Sequence, residues 1–221
     1  MPKCDLVSNW NDLTNKVKSY NYPENNVVIK YPLGNGMRGF RVLSKKSKSK
    51  DDFYTQKPTG IHTNLDLLHT ELGNEFKPVM IMEFLPGAEF TVDVLRKENN
   101  MTIIIPRKRE QIRSGITFLG ITEKRDDIIE FTQKLSDKIN LEYAFGFQFK
   151  EKENGMPILL ESNPRIQGTM VLSTLSGVNI IYGSIKQALD EEFLVSKIKW
   201  GTKFLRYWGG LGIDGQKVVE I

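Results

Sequence analysis

Cysteine is almost missing from this chain. Cys4 stands alone among 221 residues, and His62 and His69 are the only histidines. An intramolecular disulfide is therefore excluded, and so is a multi-cysteine zinc or iron–sulfur centre, because two histidines cannot supply the absent ligands. Such sparse cysteine fits a reducing, cytoplasmic setting. Long apolar runs are missing as well: no stretch reaches the roughly 18 to 20 residues that span a bilayer, and residues 1–20 lack the hydrophobic stretch of a secretory signal. A soluble protein with no membrane partner is expected. With 9 prolines, 26% charged and 39% hydrophobic residues, neither disorder nor a fibrous repeat is indicated. A chain of this length can bury a core as one large or two small units.

What is present is uneven charge. The formal net charge is only +4, yet residues 30–57 carry eight basic residues against Asp51 and Asp52, and residues 101–125 carry six against two. An anionic ligand docking between these stretches is one reading, and a solvated Ser/Lys loop at residues 44–50 is the other. That run has no interleaved aromatics, so nucleic acid is not an expected partner.

The pattern predicts an α+β fold. Strands are expected at 27–31, 79–85, 89–95, 102–105, 143–150 and 157–162, where β-branched or alternating runs sit between turn residues. Pro86 and Gly87 are expected to form a tight type II turn joining the second and third of these. Helices are expected at 65–73, capped by Thr63 or Asn64, and at 126–139, with Ile128, Phe131, Leu135 and Ile139 on the apolar face and acidic residues in the first turn. Two more are expected at 169–175 and 180–189, followed by an extended, Gly-rich tail.

Three constellations carry chemistry. Gly34, Gly36 and Gly39 form a G-x-G-x-x-G pattern after a strand, but residues 40–43 read as another strand rather than the helix of a dinucleotide fold. A kinase is set aside because Lys30 precedes the loop and the H-R-D and D-F-G motifs are absent. A phosphate-covering hairpin with Lys30 as a point charge remains, beside the plainer reading of a glycine turn.

The second constellation rests on Asn154-Gly155, the strongest short hairpin signal. With these two residues at the turn, Gln148 faces Glu161 and Gly146 faces Asn163. Alternation puts Gln148, Glu161 and Asn163 on one face and Phe147, Phe149, Leu160 and Ser162 on the other. Such oxygen ligands suit magnesium held jointly with substrate phosphates, although a solvated polar face would look the same. The third constellation is Glu89, Thr91 and Asp93 on one strand face, where a carboxylate could bind a ribose diol.

Taken in order, Val28-Ile29-Lys30, the glycine loop, residues 83–89 (EFLPGAE), Gln148 and residues 161–165 (ESNPR) resemble the ATP-grasp superfamily, most closely the large subunit of carbamoyl-phosphate synthase. The resemblance covers residues 10–190 and implies two α+β subdomains, 1–82 and 83–221, with an ATP cleft between them. It implies that Lys30 meets the α and β phosphates, that Gly34, Gly36 and Gly39 close over the triphosphate, and that backbone near Met82, Glu83, Phe84 and Leu85 holds adenine. Glu89 would bind ribose, Gln148 and Glu161 magnesium (or manganese), Asn163 a second ion, and Arg165 the transferring phosphoryl group.

The implied activity is an ATP-dependent ligase that activates a small carboxylate as an acyl phosphate for attack by an amine. A nucleotide-binding regulatory module without turnover is the alternative. Two departures stand out. Gly146 sits where relatives often carry Asn or Arg, and a phosphate-contacting cation expected upstream is absent, which suggests an N-terminal domain or separate subunit as partner. His62, His69 and Cys4 read as surface or packing residues, and Trp200, Tyr207 and Trp208 as core. Arg107, Lys108, Arg109 and Arg113 are open between a solvated strand edge and a substrate-carboxylate site.

Overall fold

A computed structural model describes residues 1–33, 37, 39–45, 61–97, 102–207, 209, 211–214 and 217–220. The chain divides into two units, Met1–Pro86 and Gly87–Ile221. In the first, strand β1 (Cys4–Asn9) runs directly into helix α1 (Trp10–Ser19). Asn9 makes that junction: its Oδ1 accepts from the Asp12 N–H at 2.9 Å, and its Nδ2 donates to Asp12 Oδ2 at 2.8 Å. One unsatisfied N–H of the helix start is thereby answered, and the side-chain bond holds the cap in place. Leu13 and Val17, one turn apart, are completely buried in a core with Val27, Ile29 and Ile81.

Strands β2 (Val27–Lys30), β3 (Phe40–Leu43) and β4 (His62–Thr63), helix α2 (Leu65–Leu72) and strand β5 (Glu75–Glu83) complete this unit, with sheet order β1-β5-β2-β3-β4. Of the two candidate caps of α2, Asn64 does the work, accepting from Leu67 N–H at 2.9 Å. β2 and β3 are antiparallel with Lys30 opposite Phe40. The segment after Gly39 is thus a strand, as its sequence predicts, and no dinucleotide-type helix starts there.

The second unit contains β6 (Glu89–Arg96), β7 (Ile103–Arg113), β8 (Ile116–Thr122), α3 (Asp126–Ile139), β9 (Tyr143–Glu151), β10 (Pro157–Asn163), α4 (Val171–Leu175), α5 (Ile180–Ala188) and β11 (Lys203–Leu205). Its sheet runs β10-β9-β6-β7-β8-β11, and every neighbour is antiparallel. Phe90, Val92, Val94, Ile104, Phe145, Phe147 and Phe149 pack with Ile128 of α3 on one face. Each such side chain contributes roughly 1.5 to 3 kcal/mol by leaving water. The opposite face carries the polar residues and a second buried cluster, in which Leu95, Ile103 and Ile105 pack with Met170, Val178 and Ile180. β12 (Leu211–Asp214) and β13 (Lys217–Glu220) form a separate antiparallel ribbon.

Four local expectations need correction. β5 and β6 do not form a hairpin, since they belong to different sheets. Gly87 lacks the positive φ that a type II turn requires; a Cβ there would lie 2.6 Å from Glu151 Cβ and 2.8 Å from Glu151 O, and its N–H donates to that same oxygen at 3.0 Å. Glycine is needed for close approach, not for a turn. On α3 the buried stripe is Ile128, Thr132 and Ser136, whereas Phe131 and Ile139 are exposed. Ser136 tolerates burial by donating to Thr132 O at 2.7 Å, so short side chains let the helix sit close to the sheet. Tyr207 is 77% exposed and Trp200 36%, so neither completes a core, and Trp208 lies outside the described residues.

The strand beginning near residue 102 continues to Arg113 and turns through Ser114 (φ 47°) and Gly115 (φ 79°) into β8. Two successive positive φ values make a type I′ turn, whose twist suits a two-residue hairpin. Among the described residues no helix is long and apolar enough to cross a membrane.

Candidate functional site

The hairpin of β9 and β10 sets the site. Near its turn, Glu151 pairs with Pro157, Lys150 with Ile158 and Phe149 with Leu159. The loop is residues 153–155, one longer than expected, with Gly155 at φ 80° and Lys152 N–H donating to Met156 O at 3.0 Å. Leu160 then stands as an extra residue, and beyond it Gln148 pairs with Glu161, Phe147 with Ser162 and Gly146 with Asn163. A bulge shifts the strand by one residue and therefore changes which face each side chain takes. Leu159, not Leu160, packs with the phenylalanine core. The pairing of Gln148 with Glu161 is as the sequence predicts, but it arises because a longer loop and a bulge offset each other.

Across the sheet this gives a row Glu161–Gln148–Thr91–Arg107 and beside it a row Asn163–Gly146–Asp93. Asn163 Nδ2 donates to Glu161 Oε1 at 2.9 Å. That leaves Glu161 Oε2 and Asn163 Oδ1 available, with Gln148 Oε1 alongside. Among the described residues no cluster of three or more His, Cys, Asp or Glu side chains could hold a metal by itself. One carboxylate with two amide oxygens still fits a hard cation that shares its shell with water and phosphate. Past the strand end, Arg165 N–H donates to Asn163 O at 2.8 Å, and its exposed guanidinium reaches Ile166 O at 3.0 Å.

Glu89 is mostly buried between two cations. It pairs with Arg109 Nη1, and Lys150 Nζ lies 3.5 Å from its Oε2. Arg109, 7% exposed at its side chain, also donates to Thr117 Oγ1 (2.8 Å), Gly115 O (2.6 Å) and Gln148 Oε1 (3.4 Å). It thereby ties the β7–β8 turn to two of the sequence-predicted site residues.

A buried network lies beside these rows. Asp93, fully buried, accepts from Arg107 Nη2 at 2.7 Å, Ser173 Oγ at 2.5 Å and Gln167 Nε2 at 3.4 Å. Gln167 also donates to Val92 O at 3.0 Å. Its amide occupies the space above Gly146: a Cβ at Gly146 would lie 1.7 Å from Gln167 Nε2. The side chain missing at 146 is thus replaced in space by one arriving from the segment after β10. A buried ion pair is tolerable when further hydrogen bonds satisfy it, and here Ser173 and Gln167 do so on the Asp93 side. At the other end of the sheet edge, Arg125 contacts Asp127 and Glu151, and its guanidinium pKa is raised first by the hydrogen bond to Asp127. The same Glu151 carboxylate accepts from Ala88 N–H at 3.2 Å.

In the first unit, Lys30 closes β2 opposite Phe40 and Met80. Gly39 has φ 67° and lies so close to Tyr31 that a Cβ would come within 2.7 Å of Tyr31 Cβ. Gly34 and Gly36 lie outside the described residues. Met82 is in the ladder opposite Cys4 and Val28, and Glu83 N–H donates to Lys3 O at 3.1 Å. β5 ends at Glu83, so Phe84 and the buried Leu85 lie beyond the ladder. His69 bonds Asn74 Oδ1 at 3.0 Å and stacks on Trp10, and Cys4 is exposed and free.

Sequence reasoning left Arg109 undecided and missed Gln167 and Ser173. Alternation of Arg107 and Arg109 about Lys108 was the available signal for the first. Contacts made after a chain reversal, as by Gln167 and Ser173, leave no periodic trace.

Comparison with known proteins adds the family. A family described as ATP-grasp in the biosynthetic pathway with Ter operon matches residues 75–204. The carbamoyl phosphate synthase large chain of Caldanaerobacter subterraneus subsp. tengcongensis is 31% identical over an alignment of 147 residues that covers 61% of this chain and 13% of that protein. N5-carboxyaminoimidazole synthetase from Staphylococcus aureus, complexed with ADP, matches the fold with a TM-score of 0.65 at 16% identity, covering 90% of this chain and 50% of the other. Biotin carboxylase from Campylobacter jejuni matches with 0.62 at 19% identity, covering 91% and 45%. This chain therefore spans about an eighth of the synthase's length. Because the family match runs over more than half of its residues, the chain belongs to this ATP-grasp family.

Proposed function

We propose that the chain binds Mg-ATP and activates a small carboxylate as an acyl phosphate for ligation to an amine. The observation that carries this reading is the direct pairing of Gln148 with Glu161, with Asn163 hydrogen-bonded to Glu161 on the same face. When bound, magnesium (or manganese) with ATP supplies a phosphoryl group whose negative charge is neutralised for in-line attack. Glu161, Gln148 and Asn163 hold the cations through oxygen. Arg165, exposed past the strand end, meets the transferring phosphoryl group. Glu89 accepts from the ribose hydroxyls, and Lys30 with the glycine loop meets the phosphates. Backbone beyond β5, from Met82 to Leu85, holds adenine. In this assignment residues 1–82 form the small subdomain and 83–221 the large one.

The related synthase is far longer than this chain, and the solved structures are about twice its length. Further polypeptide, in the same chain or a separate subunit, accordingly supplies the rest of the substrate pocket. The test is ADP formation and hydroxylamine trapping across a panel of carboxylates. Hydroxamate formed in step with ADP supports the ligase. Tight Mg-ADP binding with no ADP formation from any acid, even beside the completing polypeptide, favours a regulatory nucleotide-binding module instead.

A further inference from the structure

Arg109 is a cation inside the candidate nucleotide site that no assigned role uses. Its guanidinium is almost buried, and its fork is divided among four acceptors: Glu89, Gln148 Oε1, Thr117 Oγ1 and Gly115 O. Two of these belong to different tasks in the proposed function, since Glu89 faces ribose and Gln148 faces metal. Lys150, the other cation on Glu89, reaches it from the cross-strand position and at a longer 3.5 Å. Arg109 is therefore the group that fixes the Glu89 carboxylate.

We propose, on the basis of that function, that Arg109 is a positioning residue linking ribose recognition to metal affinity with opposite signs. It orients Glu89 for the ribose diol, and it shares the Gln148 oxygen with the divalent cation. The physical reasons are separate. A carboxylate held by a planar fork presents its remaining lone pairs in a fixed direction, which a flexible ammonium does not reproduce. A guanidinium on the oxygen that a metal would take repels that metal across a short, poorly solvated gap. Removing the charge therefore strengthens one interaction and weakens the other, a signature that general loosening of the fold does not give.

The test is calorimetric binding of ADP and 2′-deoxy-ADP, with and without manganese, to wild type, Arg109→Met and Arg109→Lys, with melting curves as a check on folding. In Arg109→Met, the factor by which manganese tightens ADP binding is expected to rise about fivefold or more. The preference for ADP over 2′-deoxy-ADP is expected to fall about fivefold or more. Arg109→Lys keeps the charge without the fork, so its manganese factor stays within about twofold of wild type while the ribose preference falls. If Arg109→Met does not fold, Arg109→Gln, which also lacks the charge, takes its place with the same two expected changes. Variants in which neither quantity changes, or both move in the same direction, overturn the inference. Wild type that binds no ADP overturns the proposed function as well; wild type that binds ADP and responds to manganese while the variants match it overturns this inference alone.

Discussion

Gln148 and Glu161 are direct cross-strand partners even though the loop between their strands is one residue longer than a two-residue turn, because Leu160 is inserted as a bulge. Were Leu160 paired in a regular ladder instead, it would face Gln148, and Glu161 would face Phe147 on the side of the phenylalanine core. The bulge is what brings a carboxylate to the polar face.

Deleting Leu160 is therefore expected to leave a regular ladder in which Glu161 still pairs with Gln148 on the polar face, so that fold and metal response persist. An alanine inserted between Leu159 and Leu160 acts differently: either Glu161 turns toward the core, at several kcal/mol for an unpaired buried carboxylate, or the hairpin slips and loses its register. In the insertion variant the melting temperature should fall sharply, and magnesium should no longer affect nucleotide binding. Wild-type stability and metal response in the insertion variant, or loss of both in the deletion variant, would contradict the role given to the bulge.

Gly146 and Gln167 form a second coupled pair. Gly146→Ala is expected to cost about 3 kcal/mol, because its Cβ meets both Gln167 and the backbone. In a Gln167→Ala background a cost above about 1 kcal/mol should remain, since a Cβ would still lie 2.4 Å from Val92 O. Denaturant unfolding of the four proteins measures both values. Full rescue by Gln167→Ala would show that only the side-chain clash matters.

Lys30→Ala is expected to weaken ATP binding about 10-fold to 150-fold, the range for a lost hydrogen bond to a charged group. Calorimetry giving equal affinity for the two proteins would remove Lys30 from the phosphate site.

The pH dependence has a defined sign at Asp5. A hydrogen bond from the Lys16 ammonium and then one from Tyr20 hold its carboxyl below the ordinary aspartate range. Its contribution to stability is present above the unfolded value of about 3.9 and is lost as pH falls through the lower folded value. Tyr20 is pushed up, first by burial and then by its bond to Asp5, so its contribution is present below about pH 10 and is lost as pH rises through the higher folded value. In Asp5→Asn, NMR titration should show Tyr20 ionising earlier and the acid sensitivity reduced. An unchanged Tyr20 titration would contradict the coupling.

The α+β layering, most strands of both sheets and the helices at residues 65–73 and 126–139 were legible because side-chain periodicity and cap residues are local signals. β1 and α1 were not read, although Asn9 with Asp12 and the spacing of Trp10, Leu13 and Val17 carry the pattern. Pro86-Gly87 misled because the same glycine serves turns and close approach, and only the position of Glu151 distinguishes them. Alternation could place Gln148, Glu161 and Asn163 on one face of their hairpin, and Glu89 with Thr91 and Asp93 on one face of another strand, but not the two sets on one sheet face. The partners that hold them, Arg109 and the Asp93–Gln167–Ser173 network, depend on register and chain reversal, which a single sequence does not encode locally.

The most direct test of the central claim is ADP binding to wild type and Glu161→Gln across a magnesium titration. Glu161→Gln keeps the size and the hydrogen bond from Asn163 while removing the charge. Wild type should bind ADP more tightly as magnesium rises, and the variant should fold normally yet bind with an affinity nearly independent of the ion. Equal magnesium dependence in the two proteins would contradict the assignment of the paired Gln148 and Glu161 as a metal site.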